Sequence, residues 1–163
     1  MQCFYKVAMI GIIACFLGAC DKKKGKDSNI PSNAYASGEA NVVSLGVNDS
    51  LKYDKQTITV KQGKMVKLTL THHGKMAKSN MGHNFVLLKK GIDIQAFTSK
   101  AVAAKETEYI PPSMKDAVIA HTKLLGGGES DTITFKSPAP GTYIFLCTFP
   151  GHHIMMRGEF VVQ

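Results

Sequence analysis

The chain has 163 residues, 20 of them Lys or Arg against 12 Asp or Glu, which gives a net charge of +8 and a pI near 9.3. Its length suits a single modest core, and no internal repeat at solenoid spacing argues for a larger array. The basic residues are not interleaved with aromatics in any repeating pattern, which excludes nucleic acid as a partner and points the charge toward acidic proteins or membrane surfaces.

At the amino terminus, Met1 to Phe16 contain one basic residue (Lys6), an apolar run that reaches Leu17, and no acidic residue. This is the layout of an export signal. The run is shorter than the roughly 20 apolar residues that a membrane-spanning helix needs, and Lys22-Lys23-Lys24 follows it directly. Leu17-Gly18-Ala19-Cys20 resembles the lipobox of bacterial lipoproteins, which implies cleavage after residue 19 and a lipid on Cys20. The alternative is an ordinary signal that leaves Cys20 as an incidental thiol. Cleavage removes Lys6 and no acidic residue, lowering the net charge to +7. Near an anionic bilayer each of Lys22, Lys23, Lys24 and Lys26 would add about 1 kcal/mol of attraction. Residues 20–40 are rich in Lys, Ser, Asn, Gly and Ala without apolar periodicity, and they read as a flexible tether.

From residue 41 to 163 the pattern becomes short alternating runs: Val43/Leu45/Val47, Leu51/Tyr53, Ile58/Val60, Val66/Leu68/Leu70, Ile133/Phe135, Tyr143/Phe145/Cys147 and Phe160/Val162. Period-two alternation of this length predicts half-buried strands. Turn-forming segments such as Asn48-Asp49-Ser50, Gln62-Gly63, Gly126-Gly127-Gly128 and Pro138-Ala139-Pro140-Gly141 separate them. The predicted class is all-β, an antiparallel or mixed Greek-key sandwich. One helix interrupts it between Ile92 and Ala104, where Ile92, Gln95, Ala96, Ser99, Ala103 and Ala104 fit a helical face.

Of the four cysteines, Cys3 and Cys15 leave with the signal and Cys20 is assigned to lipid, so the domain retains Cys147 alone. An exported domain with one thiol makes no internal disulfide, and that thiol is buried, reactive or ligated. In Cys147-Thr148-Phe149-Pro150-Gly151-His152-His153-Ile154-Met155-Met156, one tight connection between strands offers a thiolate, imidazole and thioether. Pro150-Gly151 supplies the bend that carries His152 back toward Cys147. A further imidazole comes from His83, which follows a glycine and precedes an apolar strand in Met81-Gly82-His83-Asn84-Phe85-Val86-Leu87. Two imidazoles and a thiolate with a long axial thioether form the donor set of a blue-copper centre.

Three segments, Met81-Gly82-His83-Asn84, Val118-Ile119-Ala120-His121-Thr122-Lys123-Leu124 and Cys147-Thr148-Phe149-Pro150-Gly151-His152 with Met156, resemble the signatures of azurins in azurin order. Similarity extends over Val43 to Val162. The resemblance implies a cupredoxin fold and one copper ion held by His83, Cys147 and His152, with Met156 rather than Met155 as the weak axial donor. It also implies a distant Gly82 carbonyl, and backbone amides of Asn84 and Phe149 directed at the Cys147 sulfur. His72 and His121 match histidines that azurins carry away from the metal, and His153 has no assigned role. Met81, Phe149, Pro150, Ile154 and Met155 are expected to form an apolar rim around His152, with Met76 and Leu51 added by the resemblance.

The implied function is one-electron transfer without catalysis, in a bacterial lipoprotein attached to the membrane through Cys20 and facing the periplasm or the cell exterior. Its implied partners are transient redox proteins such as c-type cytochromes or copper-dependent reductases and oxidases. A copper chaperone or storage protein is the alternative, although such proteins favour open, Met-rich or Cys-x-x-Cys sites. A thiol enzyme pairing Cys147 with a histidine lacks an orienting acid nearby. Two departures stand out: the amino-terminal disulfide and the buried tryptophan of azurins are missing, and Phe85 is the aromatic nearest the tryptophan's place.

Overall fold

The computed structural model describes residues 40–163; the expected signal, Cys20 and nearly all of the expected tether lie outside the described residues. Among the described residues eight strands form two sheets. In the first, β1 (Asn41–Val47), β3 (Met65–His72) and β6 (Ser130–Lys136) lie in the order β1-β3-β6. The second holds β2 (Thr57–Val60), β4 (Val86–Leu88), β5 (Val118–His121), β7 (Gly141–Leu146) and β8 (Arg157–Val162) in the order β2-β8-β7-β4-β5. The pairs β1/β3 and β2/β8 are parallel and the remaining pairs antiparallel, so the sandwich is mixed. Successive strands β1 and β2 enter different sheets, as do β6 and β7, which is how the chain closes a Greek-key sandwich.

The alternation read from the sequence sets the core. Val66, Leu68 and Leu70 alternate with exposed or half-buried residues along β3 and meet Ile58, Phe85, Leu87, Phe145 and Phe160 from the opposite sheet. Strand β4 does not alternate, because both its faces are covered. Leu87 points into the inter-sheet core, while Val86 and Leu88 pack with Leu146, Phe97 and Ala117 on the outer side. Phe85, fully buried, lies 5.3 Å from Phe145 and fills part of the interior with apolar surface.

Three local expectations need correction. Leu51 and Tyr53 do not form a strand. Ser50 N–H donates to Asn48 Oδ1 (2.9 Å), Leu51 takes φ 57°, and Tyr53 makes only an isolated bridge to Val47, so the turn outlasts the alternation. The inserted helix is present as α2 (Ile94–Val102), capped by Asp93 Oδ1 accepting from Ala96 N–H at 3.1 Å. Its buried face is Phe97, Thr98 and Ala101, whereas Gln95, Ala96, Ser99 and Ala103 face solvent. The larger Phe97 ring decides which side docks, since burial of an aromatic outweighs that of several alanines. It is also not the sole helix: one turn, α1 (Lys78–Met81), stands just before His83.

Candidate metal centre

His83 and Cys147 are delivered by backbone that cannot drift far. Gly82 passes so close to its surroundings that an added Cβ would lie 2.6 Å from the Lys78 carbonyl and 2.9 Å from Leu124, which is why glycine precedes the histidine. His83 then pairs with Leu125 through two backbone hydrogen bonds of 3.0 and 2.7 Å. Cys147 lies one residue beyond β7, and its N–H donates to the Met156 carbonyl at 3.0 Å. Between them the loop turns at Gly151, with φ 80°, into the 3-10 turn His152–Ile154. Met156 N–H closes that turn on the His152 carbonyl at 2.8 Å.

Asn84 fastens the two segments. Its Oδ1 accepts the Thr148 N–H (2.9 Å) and its Nδ2 donates to Thr148 Oγ1 (2.8 Å). The residue after one donor is thereby bound to the residue after another. Sequence reasoning considered only the Asn84 backbone amide and missed this side-chain clasp, whose signal is a pair of polar residues each following a donor residue.

The result is a cluster of donors. Cys147 Sγ lies 4.0 Å from His83 Nδ1 and 3.7 Å from His152 Nδ1, and the two nitrogens are 3.2 Å apart. A first-row metal ion at about 2.1 Å from nitrogen and 2.3 Å from sulfur, with angles near 120°, sets separations of about 3.6 and 3.8 Å. The donors fit such an ion with shifts of a few tenths of an ångström. The Gly82 carbonyl stands 3.9 Å from the sulfur. Among the described residues no other group of three His, Cys, Asp or Glu side chains converges in this way.

Protonation is set by burial. His83 is fully buried and His152 is 7% exposed. Burial lowers both imidazoles to about 4, with repulsion from His152 and His72 adding to the effect at His83. Burial pushes the Cys147 thiol up to about 12, opposed by backbone hydrogen bonds from Asn84 and Phe149. At neutral pH the metal-free site therefore presents two neutral imidazoles and a thiol, and a metal ion takes the place of the thiol proton. His83 Nε2 meets the Asn48 carbonyl at 3.0 Å. A carbonyl only accepts, so Nε2 carries the hydrogen and Nδ1 is left as a bare donor pair.

The other histidines take different places. His72 is buried behind His83, its ring centroid 4.7 Å away, with Nδ1 accepting from Gly74 N–H at 2.9 Å and Nε2 3.2 Å from the Met81 carbonyl. His121 is exposed at the end of β5, and His153 is half-buried beside His152. Met156, the residue just before β8, is fully buried. Of the expected rim, Ile154 (68%), Met155 (67%) and Met76 (40%) are exposed, whereas Met81, Phe149, Pro150 and Leu51 are half-buried.

Comparison with known proteins matches residues 39–163 to the family of copper binding proteins described as plastocyanin/azurin. The chain is 43% identical over 122 residues to azurin-1 of Alcaligenes xylosoxydans xylosoxydans, covering 71% of this chain and 92% of that one. It is 40% identical over 116 residues to outer membrane protein H.8 of Neisseria gonorrhoeae, covering 69% of this chain and 62% of that one. Among solved structures, reduced auracyanin from Roseiflexus castenholzii superposes with a TM-score of 0.68 at 36% identity, over 77% of this chain and 99% of that one. With its sandwich and its converging His and Cys donors, the chain belongs to the copper-binding plastocyanin/azurin family, and copper is its cofactor.

Proposed function

We propose that this protein is a membrane-anchored electron carrier rather than an enzyme, its copper held by His83 Nδ1, Cys147 Sγ and His152 Nδ1, with the Met156 thioether as weak axial donor and the Gly82 carbonyl more distant. The observation that carries this reading is the donor spacing of 3.2 to 4.0 Å in a site already assembled by backbone and Asn84 hydrogen bonds. Copper bound there supplies a one-electron Cu(II)/Cu(I) couple. The protein's part is to keep the donors from rearranging between the two states. His83 is fixed by the Asn48 carbonyl and Leu125, Cys147 by the Met156 carbonyl, and Thr148 by Asn84. Burial excludes water from the thiolate, and the two amides directed at the sulfur spread its charge.

Exchange with partners takes place at the His152 edge, the one donor side chain that reaches solvent. Ile154 and Met155, exposed in the same turn as His152, together with the exposed Met76, offer apolar surface suited to brief contact with c-type cytochromes or copper-dependent reductases and oxidases. The lipid on Cys20 and the tether of residues 20–40 would hold the domain of residues 41–163 at a membrane after removal of residues 1–19. The similarity to a relative named as an outer membrane protein supports that location. Storage or delivery of copper fits less well, since the donors are nearly inaccessible and include a single thiol.

Addition of Cu(II) to the purified metal-free protein, followed by optical and EPR spectroscopy, tests the reading. An intense thiolate-to-copper charge-transfer band with one copper per chain is expected. Colourless binding, or binding that leaves Cys147 free to alkylate, would overturn it.

A further inference from the structure

The three donors are not held equally. His83 has its backbone bridge and the Asn48 carbonyl, and Cys147 has its strand. His152 sits in a single 3-10 turn beyond Gly151, and no protein hydrogen bond among the described residues holds its Nε2. What fixes its ring from the side is aromatic packing: Phe149 lies 4.5 Å away at 40°, and Tyr109 meets Phe149 edge-on at 5.2 Å and 67°.

Tyr109 reaches that place through unusual backbone. Glu108 and Tyr109 are consecutive residues with φ 54° and 63°, left-handed values that side chains disfavour. Such conformations persist where the surroundings over-determine them, and they gather at functional sites. Here Glu108 N–H donates to the Lys105 carbonyl (3.0 Å) and Tyr109 N–H to the Ala104 carbonyl (2.8 Å). Glu108 Oε2 accepts from Leu124 N–H at 3.1 Å, and the Glu108 carbonyl accepts from Asn84 Nδ2 at 3.3 Å. The same Nδ2 serves Thr148, so the turn is joined to the donor loop twice, once through Asn84 and once through the Tyr109 ring. Tyr109 is 8% exposed and clusters with Ala101 and Leu124 under Phe149.

We infer that Tyr109 is a positioning residue for His152, acting through Phe149, and that the left-handed Glu108–Tyr109 turn exists to press this wall against the outermost copper donor. The inference rests on the copper reading above for its functional meaning. Its geometry is a property of the metal-free protein. A flat edge against Phe149 is what matters, and the tyrosine hydroxyl does not enter.

Four variants test it: Tyr109→Phe, Tyr109→Leu, Phe149→Leu and the Tyr109→Leu/Phe149→Leu pair. NMR of the His152 ring in the metal-free protein reports its order, and competition with a chelator reports copper affinity. Tyr109→Phe should match the parent. Tyr109→Leu should average the His152 ring signals and weaken copper binding between about twofold and tenfold, the equivalent of one aromatic pair. In the Phe149→Leu background, Tyr109→Leu should add no further loss. As a control, Phe135→Leu removes an aromatic contact with Phe160 at the end of β3 opposite His72 and should lower stability while sparing the His152 signals. Should Tyr109→Leu not fold, Tyr109→Met removes the flat edge with less loss of volume. Parent-like His152 signals and affinity in Tyr109→Leu, full additivity of the two losses, or equal disturbance by Phe135→Leu would each overturn the role. Failure of the parent to form a blue centre would instead refute the copper reading, while the metal-free ring signals would still decide on Tyr109.

Discussion

Acidification from pH 7 to pH 4 should remove a large part of the metal-free protein's stability. In the folded chain His83 and His152 take up protons only near pH 4, while in the unfolded chain they do so near 6.5. Between those values the unfolded state binds more protons, so the free energy of unfolding falls as pH falls through the window and levels off below it. At about 1.36 kcal/mol per pH unit, the gap gives a ceiling of about 3 kcal/mol for each imidazole. His152 has an edge in water and contributes less, so about 3–5 kcal/mol is expected in total, against the 5–15 kcal/mol typical of a domain. The lowered carboxylates Asp49 and Glu129 titrate below most of this window and add their losses later. On the alkaline side, the unfolded thiol ionises near 9 and the folded Cys147 near 12, so stability should fall again as pH rises above 9. Urea unfolding followed by far-UV circular dichroism at half-unit steps measures both limbs. Equal midpoints at pH 4.5 and pH 7 would refute the burial argument.

The remaining tests address the ligands, the anchor and the docking edge. Cys147→Ser should abolish the blue colour, His83→Gly should lose it until imidazole is added, and Met156→Leu should keep it with a raised reduction potential, because loss of a sulfur donor disfavours Cu(II) more than Cu(I); optical spectra and voltammetry decide, and loss of copper from Met156→Leu would end the axial assignment. Cys20→Ser should move the full-length protein from the detergent phase to the aqueous phase on partitioning. Met81→Lys places a charge on the half-buried part of the rim and should slow electron self-exchange without changing the copper spectrum, and an unchanged rate would remove this edge from the docking surface.

The strands whose one face meets the other sheet were legible because burial on one face imposes period two: β1, β2, β3, β6, β7 and β8 fall on runs visible in the sequence. The face of α2 was not legible, since Ile92 with five small or polar residues fits a helical stripe as well as Phe97, Thr98 and Ala101 do, and the choice between them comes from burial of the Phe97 ring against Val86 and Leu88 of β4. Leu51/Tyr53 failed for a related reason, as alternation over three residues cannot outweigh a turn fixed by Asn48. The donors converged from the sequence because Cys147 and His152 share one short loop and His83 follows a glycine. The supports around them were not visible in the same way. Asn84 acts on Thr148 across 64 positions of the chain, and Tyr109 reaches Phe149 through a backbone conformation that no side-chain pattern announces.

The metal-free geometry also fixes where protons must go when copper enters. Because His83 Nε2 donates to the Asn48 carbonyl, its Nδ1 is bare, and the 3.2 Å contact with His152 Nδ1 is satisfied only if His152 carries its hydrogen on Nδ1. Coordination through that nitrogen requires His152 to move its hydrogen to Nε2, at the solvent edge, with no net release. Cys147 has no such option. Its thiol, held protonated by burial, must give its proton to solvent. Copper uptake at pH 7 should therefore release about one proton, rising toward three as pH falls below about 4, where both imidazoles are also charged. Calorimetric titration in buffers of different ionisation enthalpy counts the protons. No release at pH 7 would mean that the thiol is not a ligand or was already ionised, and release of two or more would mean that burial does not keep the histidines neutral.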